Sequence, residues 1–215
     1  MWYSIASAFT FALVSVLDKL IISKHVNNAN VFIVGVGVSQ IILGIVIIPV
    51  SAFSDLTLNS LLISIFSGIF SGIYLVVMFQ IMESQDVSRV IPVVSTYPVF
   101  VAILAFFILG EDVTRYSLAC ILVTVFGAAL ASLSPSTGRS LINKSSVVAL
   151  MLLFFASICF GLSQFLAKII SEDLDMWTQF MIRGVSGGIT CFSLILLPGV
   201  FQGVKAMVHK PKSLL

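Results

Sequence analysis

The chain is 215 residues long; 59% of them are hydrophobic, only 9% are charged, and the formal net charge is +2. A water-soluble domain carries roughly a quarter charged residues, so with a mean hydropathy of +1.17 the composition excludes one and indicates an integral membrane protein. The basic residues stand singly around the ends of apolar runs rather than on one face, which argues against nucleic acid as a partner.

The first apolar segment, residues 1–17, is short for a span but runs into Asp18 and Lys19, near an end where a long side chain reaches polar surroundings. A cleaved signal peptide is the rival reading; no basic residue precedes this segment, and a later stretch copies it where nothing could be cleaved. Residues 31–54 and 56–82 form the second and third segments, free of charge and long enough to cross a hydrocarbon core of about 30 Å. On the third, Ser64, Gly68 and Gly72 stand at i, i+4 spacing and make a groove for another backbone, ordinary bundle packing being its plainest use. It ends at Glu83, read with Asp86 and Arg89 nearby as an interfacial acid. The fourth segment, 90–110, contains Pro92 and Pro98. A proline inside a helix removes a donor and frees a carbonyl that a polar group or ion could use, so a kink is expected here.

Residues 116–138, 145–167 and 184–204 give the fifth to seventh segments, the last holding the small pair Gly184 and Gly188, with Arg183 at its entrance. Cys120, Cys159 and Cys191 fall inside apolar runs, as packing residues do. The expected fold is all-α, a polytopic bundle of about seven transmembrane helices. The connections after the first, third and fifth helices, with the tail, hold Lys24, Arg89, Arg139, Lys144, Lys205, Lys210 and Lys212, with Lys19 nearby; Arg115, Lys168 and Arg183 belong to the other side. The positive-inside rule then puts the N-terminus outside and the tail in the cytoplasm, and the short loops and lack of long soluble tails lead to a bacterial inner membrane as the expected location.

Two stretches repeat one another. FALVSVLDKL, residues 11–20, aligns without gaps on FGLSQFLAKI, residues 160–169, at an offset of 149 residues that pairs Lys19 with Lys168. Continued at that offset, residues 31–36 fall on 180–185 with Ile33, Gly35 and Val36 matched. Five spans separate the copies, an odd number, so the second copy enters the bilayer inverted, as in the inverted repeats of secondary transporters. The division expected is a first five-helix repeat over 1–138 and the start of a second, two helices and a basic tail, over 145–215.

The segment from Ser88 to Leu130 resembles the end of an EamA-like repeat of the drug/metabolite transporter superfamily, in which a helix with a central proline ends in Leu-Gly-Glu and a second helix returns with glycine. Here these are Pro98, Leu109, Gly110, Glu111 and Gly127. The resemblance implies two inverted five-helix repeats and carriage of small polar metabolites, amino acids, nucleotide sugars or drugs. It implies a structural role for Glu111, capping a turn. It also implies a full protein of about twice the repeat offset, roughly 80 residues more than are present, so the second repeat is incomplete: the chain is either a fragment of a longer protein or one whose missing helices a homodimer or another partner supplies.

Ionisable groups within apolar helices require an explanation. Lys19 and Lys168 are symmetry-related candidates for attracting an anionic substrate, or else anchors that snorkel to opposite headgroup layers. Asp18 has Ala167 as its repeat partner and is read as paired with Lys19 or as a proton-coupling carboxylate. The Arg183 guanidinium suits a carboxylate or phosphate, although an arginine near a helix end often marks the interface. Gln40, Tyr74, Gln80, Ser95, Thr96, Tyr97, Ser163 and Gln164 are uncharged polar groups on apolar helices and candidates to define a cavity, with Tyr74, Tyr97 and Gln164 singled out for substrate binding; interhelical hydrogen bonding is the plainer use.

No HExxH, GxSxG, phosphate-binding Gly-Lys loop or cysteine cluster is present, and His25 and His209 lie outside the apolar segments, so the reading is not an enzyme, with no cofactor and no metal. The function expected is secondary transport of a small polar or amphipathic metabolite by alternating access, with the bilayer and a small-molecule substrate as partners. The alternative is a non-transporting seven-helix receptor-like or scaffold subunit.

Overall fold

The computed structural model describes residues 2–24, 26, 28–54, 56–110, 114–133 and 144–209, and no strand occurs among them. In chain order the helices are α1 (Trp2–Lys24), α2 (Ala29–Ile47), α3 (Leu58–Ser84), α4 (Val87–Val94), α5 (Tyr97–Leu109), α6 (Arg115–Leu133), α7 (Lys144–Ile169), α8 (Met176–Phe192) and α9 (Val200–His209). Five stretches are long and apolar enough to cross a membrane: Ala29–Val50, Leu58–Ser84, Val87–Leu109, Val147–Ile169 and Met176–Leu196. The helices α1 and α6 stand where the first and fifth segments were expected, outside that set of five. Glu111 and the expected boundary between 138 and 145 lie outside the described residues.

Local chemistry sets the helix ends. Asn28 opens α2 by accepting from Asn30 N–H at 2.8 Å. Thr57 and Ser60 form a reciprocal capping box at the start of α3. The Asp175 carboxylate accepts from Trp177 N–H at 3.0 Å and Thr178 N–H at 3.3 Å, so α8 begins at Met176, eight residues earlier than the apolar run at Gly184. That changes the setting of Arg183. Instead of marking the interface it sits seven residues inside the helix, about 10 Å along its axis at 1.5 Å per residue. At the other end the seventh span stops at Leu196 rather than Val204. The chain then turns through Gly199, at φ 88°, into α9, whose Val200 is buried.

The fourth span is broken rather than kinked, α4 ending at Val94 and α5 starting at Tyr97. Pro98 cannot donate to the carbonyl four residues back, that of Val94. The Ser157 hydroxyl on α7 donates to that carbonyl instead, at 3.1 Å, and also contacts the Thr96 hydroxyl at 3.0 Å. At the far end Gly110 adopts the left-handed conformation, φ 65° and ψ 22°, and donates its N–H to Ala105. Leu109-Gly110 is therefore a helix stop, at a backbone angle that costs a side-chain-bearing residue roughly 1–2 kcal/mol. Gly127 on α6 is exposed, with nothing within 4 Å of where a Cβ would stand.

Close backbone approach holds the centre together. A Cβ on Gly68 would lie 2.5 Å from the Arg183 carbonyl, and one on Gly72 would lie 2.8 Å from that of Gly187. Residue numbers rise together on α3 and α8, so the two run parallel. On the opposite side of α8, a Cβ on Gly37 would meet Gly188 O at 2.7 Å, one on Gly188 would meet Gly37 O at the same distance, and one on Gly44 would meet Met181 O at 3.3 Å. Here numbers rise on α2 as they fall on α8, so this pair is antiparallel. At the 149-residue offset Gly188 is the equivalent of Ser39; the second helix thus crosses its own copy near equivalent positions, in opposite directions.

The buried core draws Ile33, Tyr74, Met78, Met82, Val90, Leu153, Cys159 and Cys191 from α2, α3, α4, α7 and α8. Cys120 on α6 is exposed instead of packed. Large apolar side chains turn outward along α2, α5, α6 and α7, as lipid-facing surfaces do.

Candidate functional site

A cavity of about 250 Å³ is lined by Gln40 and Leu43 of α2, Ser71 of α3, Gln164 of α7, and Phe180, Arg183 and Gly184 of α8. Gln40 and Ser71 stand near the middle of their helices, so the cavity opens deep in the bundle, beside the crossing of α2 and α8. Among the described residues Arg183 is the one charged member of this lining.

The guanidinium is held from α7. Its Nη2 donates to Ser163 Oγ at 3.2 Å and Gln164 Oε1 at 3.4 Å, while Ser67 of α3 donates its hydroxyl to the Ser163 carbonyl at 2.8 Å. Arg183 Nε is buried without an acceptor, and Gln40 Oε1 is buried without a donor. A cation deep in a span costs about 2.5–3.5 kcal/mol on insertion scales, and a buried donor left unpaired costs roughly 1–3 kcal/mol. Arg183 and Gln40 both line the cavity, between the apolar walls of Leu43 and Phe180, and each carries one polar atom that is buried and unpaired.

The site is not duplicated by the repeat. At the 149-residue offset Ser163, Gln164 and Arg183 correspond to Val14, Ser15 and Val34, and the Ser15 hydroxyl bonds within its own helix, to Phe11 O at 2.8 Å.

Of the seven residues singled out from the sequence, Arg183 and Gln164 meet in this cavity. Tyr74 and Tyr97 meet elsewhere, around Phe160: the Tyr74 ring stacks on it at 4.4 Å and the Tyr97 ring meets it edge-on at 4.5 Å. The Tyr74 hydroxyl donates to Met78 Sδ at 3.1 Å. Lys19 reaches the C-terminal end of α3, donating to the carbonyls of Met82 and Gln85, where a cation also complements the helix dipole. Lys168 is exposed in the last turn of α7. Ser67 meets Ser163 while Tyr74 meets Phe160, so α3 and α7 run antiparallel, and the two lysines lie at opposite ends of the bundle. Asp18 is half-buried on α1, outside the cavity lining. Glu83 accepts from Ala29 N–H at 3.4 Å and so helps to cap α2.

Sequence reasoning passed over Ser67, Ser71, Leu43 and Phe180. Ser67 and Ser71 each precede a glycine of the α3 groove, and that small-residue stripe was the available signal. A family model, that of the EamA-like transporter family, matches residues 1–133. No curated protein and no solved structure matches the chain.

Proposed function

The chain belongs to the EamA-like transporter family and is on that footing a multi-pass membrane transporter of the drug/metabolite type, from which premise we propose that it carries a small polar or amphipathic metabolite by alternating access, with the solute seated against Arg183. Members of this family are transporters rather than enzymes. The observation that carries the reading is the cavity at the crossing of α2 and α8, where an incompletely bonded guanidinium faces apolar and amide walls. Sites of alternating-access carriers lie where inverted repeats meet, and here α2 and α3 of the first proposed repeat, 1–138, meet α7 and α8 of the second, 145–215. Rocking one group against the other about the glycine-lined crossing would open the cavity to each side in turn. The size favours a small solute, since drug-sized ligands occupy roughly 300–1,000 Å³.

The orientation proposed is N-terminus outside and tail cytoplasmic. Moving Arg183 into the span leaves fewer basic groups on the outer side and sharpens the charge asymmetry. Transport is tested by reconstituting the chain in liposomes and measuring counterflow across a panel of radiolabelled small metabolites. Saturable flux that Arg183→Ala removes, with the variant still eluting as a single species, is the result expected. Folded protein that moves nothing on the panel would overturn the reading.

A further inference from the structure

The cavity lies off the middle of the bundle. Leu43 and Phe180 each stand four residues from a helix end, at Ile47 and Met176, about 6 Å along the axis, whereas Gln40 and Ser71 stand eleven residues from Ala29 and Met82, about 16 Å from the opposite end. That longer way out is filled. On α3 Tyr74, Met78, Phe79 and Met82 are buried, and the Phe79 ring meets Phe32 of α2 edge-on at 5.1 Å. Farther out, Val31 and Val34 of α2 bury against Val200 of α9, and a Cβ on Gly203 would stand 2.8 Å from Val31 Cγ2.

Lys19, Glu83 and Gln80 tie this end together, each joining α3 to α1 or α2. Lys19 of α1 donates to the carbonyls of Met82 and Gln85, the second at 2.9 Å. The Glu83 carboxylate accepts from Ala29 N–H at 3.4 Å, and the Gln80 amide donates to Asn30 Oδ1 at 2.9 Å. Gln80 and Glu83 are exposed, so water replaces these partners at small net cost when the helices part. Farther along, Gly68 and Gly72 keep α3 close against α8.

Resting on the transport reading, we propose that Lys19, Glu83 and Gln80 form a clasp that shuts the α9 end of the bundle, and that parting α3 from α1 and α2 there opens the cavity to that face. The glycine crossing with α8 is the pivot about which α3 swings. Here the clasp is closed, and the cavity lies toward the other face. The repeat does not duplicate the device, since Lys168, the equivalent of Lys19, is at the opposite end of the bundle.

The test measures access to the cavity from each face. Ser71→Cys in a Cys120→Ala background, where Cys159 and Cys191 stay buried, is reconstituted in sealed liposomes with a tag after Leu215. A membrane-impermeant maleimide and a protease are added outside. Molecules clipped at the tag report labelling from the α9 face, and unclipped ones report the other face. Adding Lys19→Met, which keeps the stem and removes the ammonium, is expected to speed labelling from the α9 face about tenfold and to leave the other face unchanged. Lys19→Arg should stay near the parent rate. Equal acceleration from both faces would mean that Lys19 only holds the packing, and no acceleration would mean that it holds nothing shut; either overturns the proposal. A second measurement stands if Lys19→Met fails to fold. Asn30→Cys with Gln80→Cys, joined by a short bis-methanethiosulfonate, should stop liposome flux, and reduction should restore it. Flux that persists through the cross-link would remove the clasp and leave transport standing, whereas acceleration confined to the α9 face with no flux of any solute would leave the clasp standing and remove transport.

Discussion

The clearest case of one residue completing another's chemistry is Ser157. Pro98 takes a donor out of the fourth span and frees the Val94 carbonyl, to which a hydroxyl from α7 then donates at 3.1 Å. Ser157→Ala is expected to lower stability by about 1–3 kcal/mol, the cost of a buried acceptor left unpaired, read as a lower midpoint of thermal unfolding in detergent. Ser157→Thr should keep the bond. The proline and its orphaned carbonyl were legible from the sequence, because the loss of the N–H is a local property of the residue. The donor was not, because it arrives from a helix 63 positions away. Lys19 teaches the same lesson: its repeat partner is visible in the sequence, but the α3 carbonyls that hold it are not.

Among the elements, α8 is the one most constrained by backbone approach, with glycine on the facing surface of both neighbours. Gly72→Val is expected to disrupt packing by at least the 1–3 kcal/mol of ordinary overpacking, since its first added carbon would stand 2.6 Å from Thr190 Cβ and 2.8 Å from the Gly187 carbonyl. Gly184→Ala should be tolerated, its Cβ meeting only Gln40 O at an ordinary 3.7 Å. Thermal unfolding of the two variants side by side checks the contrast, and equal loss would mean that close backbone approach at Gly72 does not set the cost. The i, i+4 pattern marked Gly68 and Gly72 correctly as a groove. It also marked Gly184, where no close approach occurs, and passed over Gly37 and Gly187, since spacing along one helix does not say which side a partner takes.

At the scale of the whole molecule, the antiparallel crossing of α2 with its copy α8 gives the bundle an internal two-fold character, while the polar groups at the crossing are not symmetric. A symmetric frame carries an asymmetric site. If the frame rocks, a side chain in the cavity is reached from both faces of the membrane in turn. In a Cys120→Ala background, which removes the exposed native thiol while Cys159 and Cys191 stay buried, Ser71→Cys is expected to react with a membrane-impermeant thiol reagent added to either side of sealed liposomes, and labelling should block flux. Reaction from one side alone would indicate a static pocket.

The sequence by itself determined that this is a polytopic helical membrane protein, that it contains an inverted repeat, and that residues 88–130 close an EamA-like unit. These follow from apolar run length, from side chains repeated in register and from punctuation by proline and glycine, all of which are written along the chain. Tertiary structure alone decided that Arg183 lies inside a span beside Gln164 and Gln40, and that the tyrosines and lysines lie elsewhere. A membrane helix is apolar on most of its circumference, so hydrophobicity does not mark the face turned inward. Which polar groups meet is set by how closely the helices approach, and here the glycines of α2, α3 and α8 set that approach.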